Sequence, residues 1–159
     1  IMSFLNLPSK KIATSLILGM LLSCGSEQQR VPQAPIAENS IFQFSEHTIY
    51  LSTNKTSDLS KNIAKKYNIE RKNNLIMLNA SILKNSINKS VSANINIEVK
   101  NLLGQIKKTT KLVITENEFI SYVFISAVSN QETLLYSIQV SPEDQYIEKI
   151  QYQKKFYIN

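Results

Sequence analysis

The chain has 159 residues, 18 Lys and Arg against 12 Asp and Glu for a net charge of +6, and only 1 Cys, 1 His and 3 Gly. One cysteine and one histidine exclude an internal disulfide framework and a structural zinc site. Three scattered glycines exclude a glycine-rich phosphate loop. The positive charge is mild and interspersed with acids, without the basic stripe of a nucleic-acid binder.

The first element is a leader. Lys10-Lys11 precede an apolar run, Ile12 to Leu22, interrupted only by Thr14, Ser15 and Gly19. As a helix the run would be about 17 Å long, too short for a hydrocarbon core of about 30 Å. Positive charge, a short apolar stretch and small residues read as a secretory signal, with Met2 as the expected start. No Ala-x-Ala pattern ends it. Leu21-Leu22-Ser23-Cys24 follows instead, which resembles the lipobox of a bacterial lipoprotein. The resemblance implies cleavage before Cys24, a diacylglyceryl thioether on its sulfur and an acyl chain, such as palmitate, on its new amino group. Several chains hold permanently where one binds only marginally. Gly25-Ser26, with no Asp after Cys24, points to the periplasmic face of the outer membrane. Removal of residues 1–23 takes away Lys10 and Lys11 and leaves a charge of +4.

Residues 24–40 read as the lipidated cysteine and a flexible linker: Glu27-Gln28-Gln29-Arg30, Pro32 and Pro35 with little apolar matter. A flexible segment of this length reaches about 20–25 Å. Residues 41–159 form the one folded domain, long enough to bury its own core.

Within that domain, Ile41 to Ser52 reads as a first strand through Phe42, Phe44, Ile49 and Tyr50. The one predicted helix is Leu59 to Tyr67. Leu59, Ile63 and Tyr67 share a face, Ser57, Asp58 or Ser60 caps the start, and Asn68 ends it. Six strand-like runs follow: Leu75–Leu83, Val91–Lys100, Lys111–Thr115, Phe119–Val128, Leu134–Val140 and Tyr146–Tyr157. In the second, Val91, Ala93, Ile95, Ile97 and Val99 alternate with polar residues, the pattern of a half-buried antiparallel strand. Gly104 is the only glycine of the folded part and predicts a left-handed turn. Lys154-Lys155 would protect an exposed edge. The expected fold is all-β: an immunoglobulin-like antiparallel β-sandwich of about seven strands, with one short helix after the first strand.

Tyr67-Asn68-Ile69-Glu70-Arg71, Leu78-Asn79-Ala80-Ser81-Ile82-Leu83, Asn101-Leu102-Leu103-Gly104-Gln105, Ile120-Ser121-Tyr122 and Phe156-Tyr157 occur in one order and spacing. On these pieces the chain, from about Tyr50 onward, resembles the domain-of-unknown-function 4426 family of proteobacterial envelope proteins. The family pattern usually has a glycine where Asn68 stands and a serine where Lys72 stands, and a His-Tyr pair where Ile49-Tyr50 stand. The resemblance implies a small exported β-rich domain and brings no activity, cofactor or catalytic residue with it.

Catalytic arrangements are thinly represented. His47 with Asp58 or Asp144 could form part of a hydrolytic triad, but no Gly-x-Ser-x-Gly elbow presents a serine. Glu116 and Glu118 could pair as glycosidase carboxylates, although their place between two strands reads as a solvated turn. Tyr122, Tyr136 and Tyr152 sit at strand positions where packing is the ordinary role. Arg71, Asn79, Asn101 and Gln105, polar groups inside the family-like motifs, are the candidate interaction surface. Asn79 and Asn101 have a structural alternative, bonding to backbone at turns and bulges. The expectation is a non-enzymatic envelope lipoprotein without metal or cofactor. It is held to the membrane by its lipid, binds no nucleic acid, and serves as a protein-interaction or assembly module. The alternative is a binder of a small envelope ligand: a glycan, a lipid or a peptidoglycan fragment.

Overall fold

The structure, a computed structural model, describes residues 40–158. The leader, Cys24 and nearly all of the linker lie outside the described residues.

Nine strands form two antiparallel sheets among the described residues. Sheet A runs in the order β1 (Ser40–Gln43), β2 (His47–Lys55), β3 (Leu75–Lys84), β7 (Phe119–Ala127), β6 (Thr109–Glu116), with the two-residue β4 (Lys89–Ser90) beside β3. Sheet B is β5 (Ala93–Asn101), β8 (Thr133–Pro142), β9 (Glu148–Lys155). The core lies between them. Ile49, Leu51, Leu78 and Ile82 from sheet A meet Ile95, Leu134, Ile138 and Ile150 from sheet B, each at most 2% exposed. The residues of this cluster all fall between Phe42 and Ile158, so the domain carries its own core.

The expected β-sandwich is present, with local differences. Ile41 to Ser52 is a hairpin and not one strand. The chain reverses at Phe44–Glu46, where the Phe44 N–H bonds the His47 carbonyl at 2.8 Å, and Phe42 then pairs with Ile49. No glycine or proline marks that reversal. The helix α1 is shorter than its periodic face suggests, Lys61–Lys66. Ser60 is its cap, accepting the Ile63 N–H, while Leu59 stays outside in extended conformation. The expected stop at Asn68 is present: Asn68 is left-handed at φ 53°, its N–H bonds Lys65 O, and Ile69 N–H bonds Ala64 O. That pair of bonds is a Schellman end, which favours glycine at the left-handed position.

β5 keeps the alternation read from the sequence, with Ile95 and Val99 buried and Asn94, Asn96 and Glu98 exposed. Val91 falls just before it and bonds Ile82 O. β9 is the outer strand of sheet B and carries Lys154-Lys155 near its end. Side chains of sheet A bond the backbone of β5: Lys111 Nζ of β6 donates to Ile95 O at 3.0 Å, and Tyr122 Oη of β7 accepts the Ala93 N–H at 2.7 Å. Among the described residues no helix is long and apolar enough to cross a membrane.

Candidate functional site

Half of the outer face of sheet A is covered and half is open. The covered half is a second apolar cluster in which Ile69, Met77 and Val123 are buried, with Leu59, Tyr67, Leu112 and Ile114 against them. The open half is a groove of about 520 Å³ across β2, β3 and β7. Its polar residues are Ser52, Asn79, Ser81 and Ser121, all half-buried, and Tyr50 and Phe119 line it too, 37% and 65% exposed. Antiparallel register creates this composition: Ser52 pairs with Asn79 and Tyr50 with Ser81, so small polar residues of neighbouring strands fall side by side. Among the described residues no side-chain hydrogen bond engages these four. A shallow groove of unspent hydroxyl and amide groups, with exposed aromatic rings beside it, suits a ligand that has both hydroxyls and an apolar ring face.

The four candidate residues do not converge. Asn79 lies in this groove. Arg71 is exposed and donates from Nη2 to Ser57 O at 2.6 Å, holding the turn before α1. Asn101 and Gln105 meet in the β5–β6 loop, on the other sheet. Asn101 is buried; its Oδ1 accepts the N–H groups of Leu103 (3.1 Å) and Gln105 (2.9 Å). Its Nδ2 donates to Gln105 Oε1 at 2.7 Å and to Glu132 Oε1 at 3.1 Å. Glu132 also takes Lys107 Nζ on both oxygens at 2.9 Å and the Ser129 N–H at 2.8 Å. Burial opposes its charge, yet the Ser129 N–H, Lys107 and Asn101 together hold its carboxyl below the usual carboxylate range. Asn101 therefore acts as a backbone organiser, the role its place in a turn motif suggests.

A third constellation joins the two sheets at their opposite end. The His47 side chain is fully buried. Its Nδ1 lies 2.5 Å from Tyr146 Oη and its Nε2 lies 3.3 Å from Glu143 Oε2. Lys84 Nζ donates to the same carboxylate oxygen at 2.7 Å. The hydrogen bond from Lys84, aided by His47, holds Glu143 below the usual carboxylate range, so it is ionised and accepts only. In the neutral ring Nε2 then carries the proton and Nδ1 accepts from Tyr146. Glu143 and Asp144 both adopt left-handed backbone, φ 48° and 56°, to present this turn. Both ring nitrogens are occupied and the ring has no exposed surface, so His47 cannot reach a substrate; the cluster clasps β2 and β3 to the β8–β9 turn. The acids weighed from sequence stand elsewhere: Asp58 accepts the Lys55 N–H, and the carboxylate on His47 belongs to Glu143, not Asp144.

Glu116 and Glu118 are likewise drawn apart, Glu116 to Lys66 and Tyr67 and Glu118 to Lys89. Tyr122 and Tyr136 are buried, and Tyr152 packs against Tyr136 with ring centroids 5.6 Å apart. Among the described residues no three His, Cys, Asp or Glu side chains converge as metal ligands.

The sequence matches, over residues 41–159, the family described as Domain of unknown function (DUF4426). The chain belongs to the DUF4426 family. A crystal structure of a DUF4426 family protein from Pseudomonas aeruginosa PAO1 shares its fold. It has a TM-score of 0.68 and 18% identity, over 76% of this chain and 96% of that one. The chain also resembles in fold FetP of uropathogenic Escherichia coli strain F11, recombinantly expressed in the periplasm (TM-score 0.53, 11% identity, 76% of this chain and 94% of that one). A copper-bound variant of FetP matches equally, with TM-score 0.53 and 11% identity over 77% and 92% of the two chains. At these identities the likeness is one of fold. No curated protein matches the sequence.

The sequence search for a site missed the groove. Ser81 and Ser121 stand inside the family-like motifs and Tyr50 at the family's His-Tyr position, yet of the groove residues only Asn79 was a candidate for the interaction surface.

Proposed function

We propose that this DUF4426 protein is a non-enzymatic binding module of the bacterial envelope, lipidated at Cys24 and held at the periplasmic face of the outer membrane. Its open groove on sheet A takes a small hydroxylated ligand, a glycan or peptidoglycan fragment. The observation that carries the reading is the groove itself: four half-buried polar side chains without partners among the described residues, in company with Tyr50 and Phe119. A sugar offers hydroxyls to the first set and C–H faces to the rings. The lipobox-like Leu21-Leu22-Ser23-Cys24 supports the anchor.

Copper, bound by the FetP variant, finds no comparable support here. His47 is the only histidine, and it spends both ring nitrogens on Tyr146 and Glu143.

Calorimetry with a soluble wall disaccharide-peptide tests the reading. Tyr50→Ala and Phe119→Ala are each expected to weaken binding about tenfold while leaving the fold intact. Equal affinity in wild type and both variants removes the groove as the site. Docking of another envelope protein is the second reading, favoured by the 65% exposure of the Phe119 ring. A photo-crosslinker at position 119 that captures one discrete protein in cells, with no calorimetric response to the saccharide, would replace the first reading with the second.

A further inference from the structure

The β5–β6 loop is held rigidly and yet displays its aliphatic side chains to water. Beyond the side-chain bonds of Asn101, the Asn101 N–H bonds Gln105 O, the Gly104 N–H bonds Asn101 O, and the Lys107 N–H bonds Val99 O at 2.8 Å. Gly104 takes the left-handed conformation that closes the turn, φ 78°, and Lys100 pairs with Ile106 across it. Nothing in this scaffold buries the apolar residues it carries: Leu102, Leu103 and Ile106 are 66%, 83% and 69% exposed. Three large aliphatic side chains on one preorganised tip form a contact surface awaiting a partner.

The surroundings indicate what that partner is. Lys100, Lys107 and Lys108 flank the tip in sequence. Lys154 pairs with Leu134, which pairs with Asn101, so β9 brings Lys154-Lys155 to the same end of sheet B, about 10 Å away across two strand spacings. The acids nearest the tip, Glu98 and Glu132, are each paired with one of these lysines, Lys100 and Lys107. Tyr157, exposed and capped by Lys155 Nζ at 5.3 Å from its ring centroid, adds an amphipathic aromatic. Aliphatic tip, surrounding lysines and an exposed tyrosine are the combination that sits in a membrane interface: apolar groups enter the acyl boundary while cations meet phosphates.

Topology agrees. β2, β5, β7 and β9 all finish at this end, as Lys55 pairs with Ile76, Leu75 with Ala127, and Asn101 with Leu134. β1 pairs antiparallel to β2, Ser40 with Leu51 through Gln43 with Thr48, so its first residue is the one nearest this end.

We propose that the Leu102–Ile106 tip, with its lysine surround, is a second membrane contact that docks the domain onto an anionic lipid surface. It would orient the sandwich on the bilayer and leave the groove of sheet A accessible. The site is argued from the folded domain alone; only its setting in the cell rests on the lipidated Cys24.

The protein contains no tryptophan, so Leu103→Trp gives a single reporter. The measurement uses the chain from residue 24 with Cys24→Ser, free of lipid, and vesicles of phosphatidylcholine with or without phosphatidylglycerol. The expected result is a blue shift of the tryptophan emission and quenching by brominated lipid on anionic vesicles only, both lost at high salt. A second reporter, Phe119→Trp, stays unshifted. In wild type, Leu102→Asp with Leu103→Asp lowers vesicle binding about tenfold or more, with circular dichroism unchanged. No shift at position 103, an equal shift at position 119, or equal binding to neutral vesicles overturns the proposal. Wild-type protein absent from the membrane fraction of cells would sink the anchor and not the tip, because the vesicle experiment contains no lipidated cysteine.

Discussion

Thr53 Oγ1 is the one buried side-chain oxygen without a hydrogen-bond partner among the described residues. Thr53 pairs with Leu78 in the middle of sheet A, where a hydroxyl has nothing to meet. Its desolvation is uncompensated, and a group of the same shape without the hydroxyl avoids that cost. Thr53→Val is expected to leave stability unchanged or raise it by about 1–2 kcal/mol in urea denaturation. Asn101 is the opposite case: every polar atom of its side chain is used. Asn101→Ala strands the Leu103 and Gln105 N–H groups and is expected to cost about 1–3 kcal/mol, measured the same way. Glu132 adds a pH dependence. Its folded carboxyl lies below the unfolded value of 4.5, so its stabilisation is present above that pH and lost as pH falls through the lower folded value. Stability curves of wild type and Glu132→Gln should therefore converge on acidification; parallel curves would show that the carboxylate contributes nothing. Asn101 was legible in the sequence as a turn residue, because Asn beside a glycine turn bonds backbone locally. The groove of Ser52, Asn79 and Ser81 was not, because it exists only once β2 and β3 pair in one register.

At the scale of the element, α1 shows how little local sequence has to do with its stability. Six residues cannot form a stable helix alone. Ser60 supplies the cap, Asn68 and Ile69 the stop, and Ile69 then turns onto Met77 and Val123 of the sheet. Ser60→Ala is expected to cost about 1 kcal/mol through the unpaired Ile63 N–H, and Met77→Ala about 2–5 kcal/mol through the cavity under Ile69; a larger loss at the cap than at Met77 in urea denaturation would show that the cap, and not packing, holds the helix. The four-residue spacing of Leu59, Ile63 and Tyr67 located the helix but overran its start, since Leu59 packs on the same cluster from an extended position before the cap. β5 was read nearly to its ends because its alternation is unbroken. The β1–β2 reversal escaped, since Phe44-Ser45-Glu46 contains no turn-forming Gly, Pro or Asn and the reversal is imposed by Phe42 and Ile49 pairing across it.

At the scale of the whole domain, the described residues form a main core shared by two sheets and a smaller cluster under α1, and the sheets are clasped at one end by His47, Glu143 and Tyr146 and at the other by Asn101, Glu132 and Lys107. Leu134, fully buried where β8 enters that core, is expected to cost about 2–5 kcal/mol on substitution to alanine. Val113, 55% exposed on β6, is expected to change stability by less than about 0.5 kcal/mol on the same change. Equilibrium denaturation of both variants checks the contrast.

The sequence by itself determined the all-β class, the position of α1, the turn at Gly104 and membership of the family. Each of these rests on periodicity or local motif, which neighbouring residues along the chain specify. Only the tertiary structure decided that the described residues form nine strands where about seven were expected. It alone showed that His47 is locked between two partners, that Asn79 lies far from Asn101, and that serines from β2, β3 and β7 share one groove. These depend on which strands lie side by side and in what register, and pairing between residues tens of positions apart leaves no mark in any single stretch of sequence.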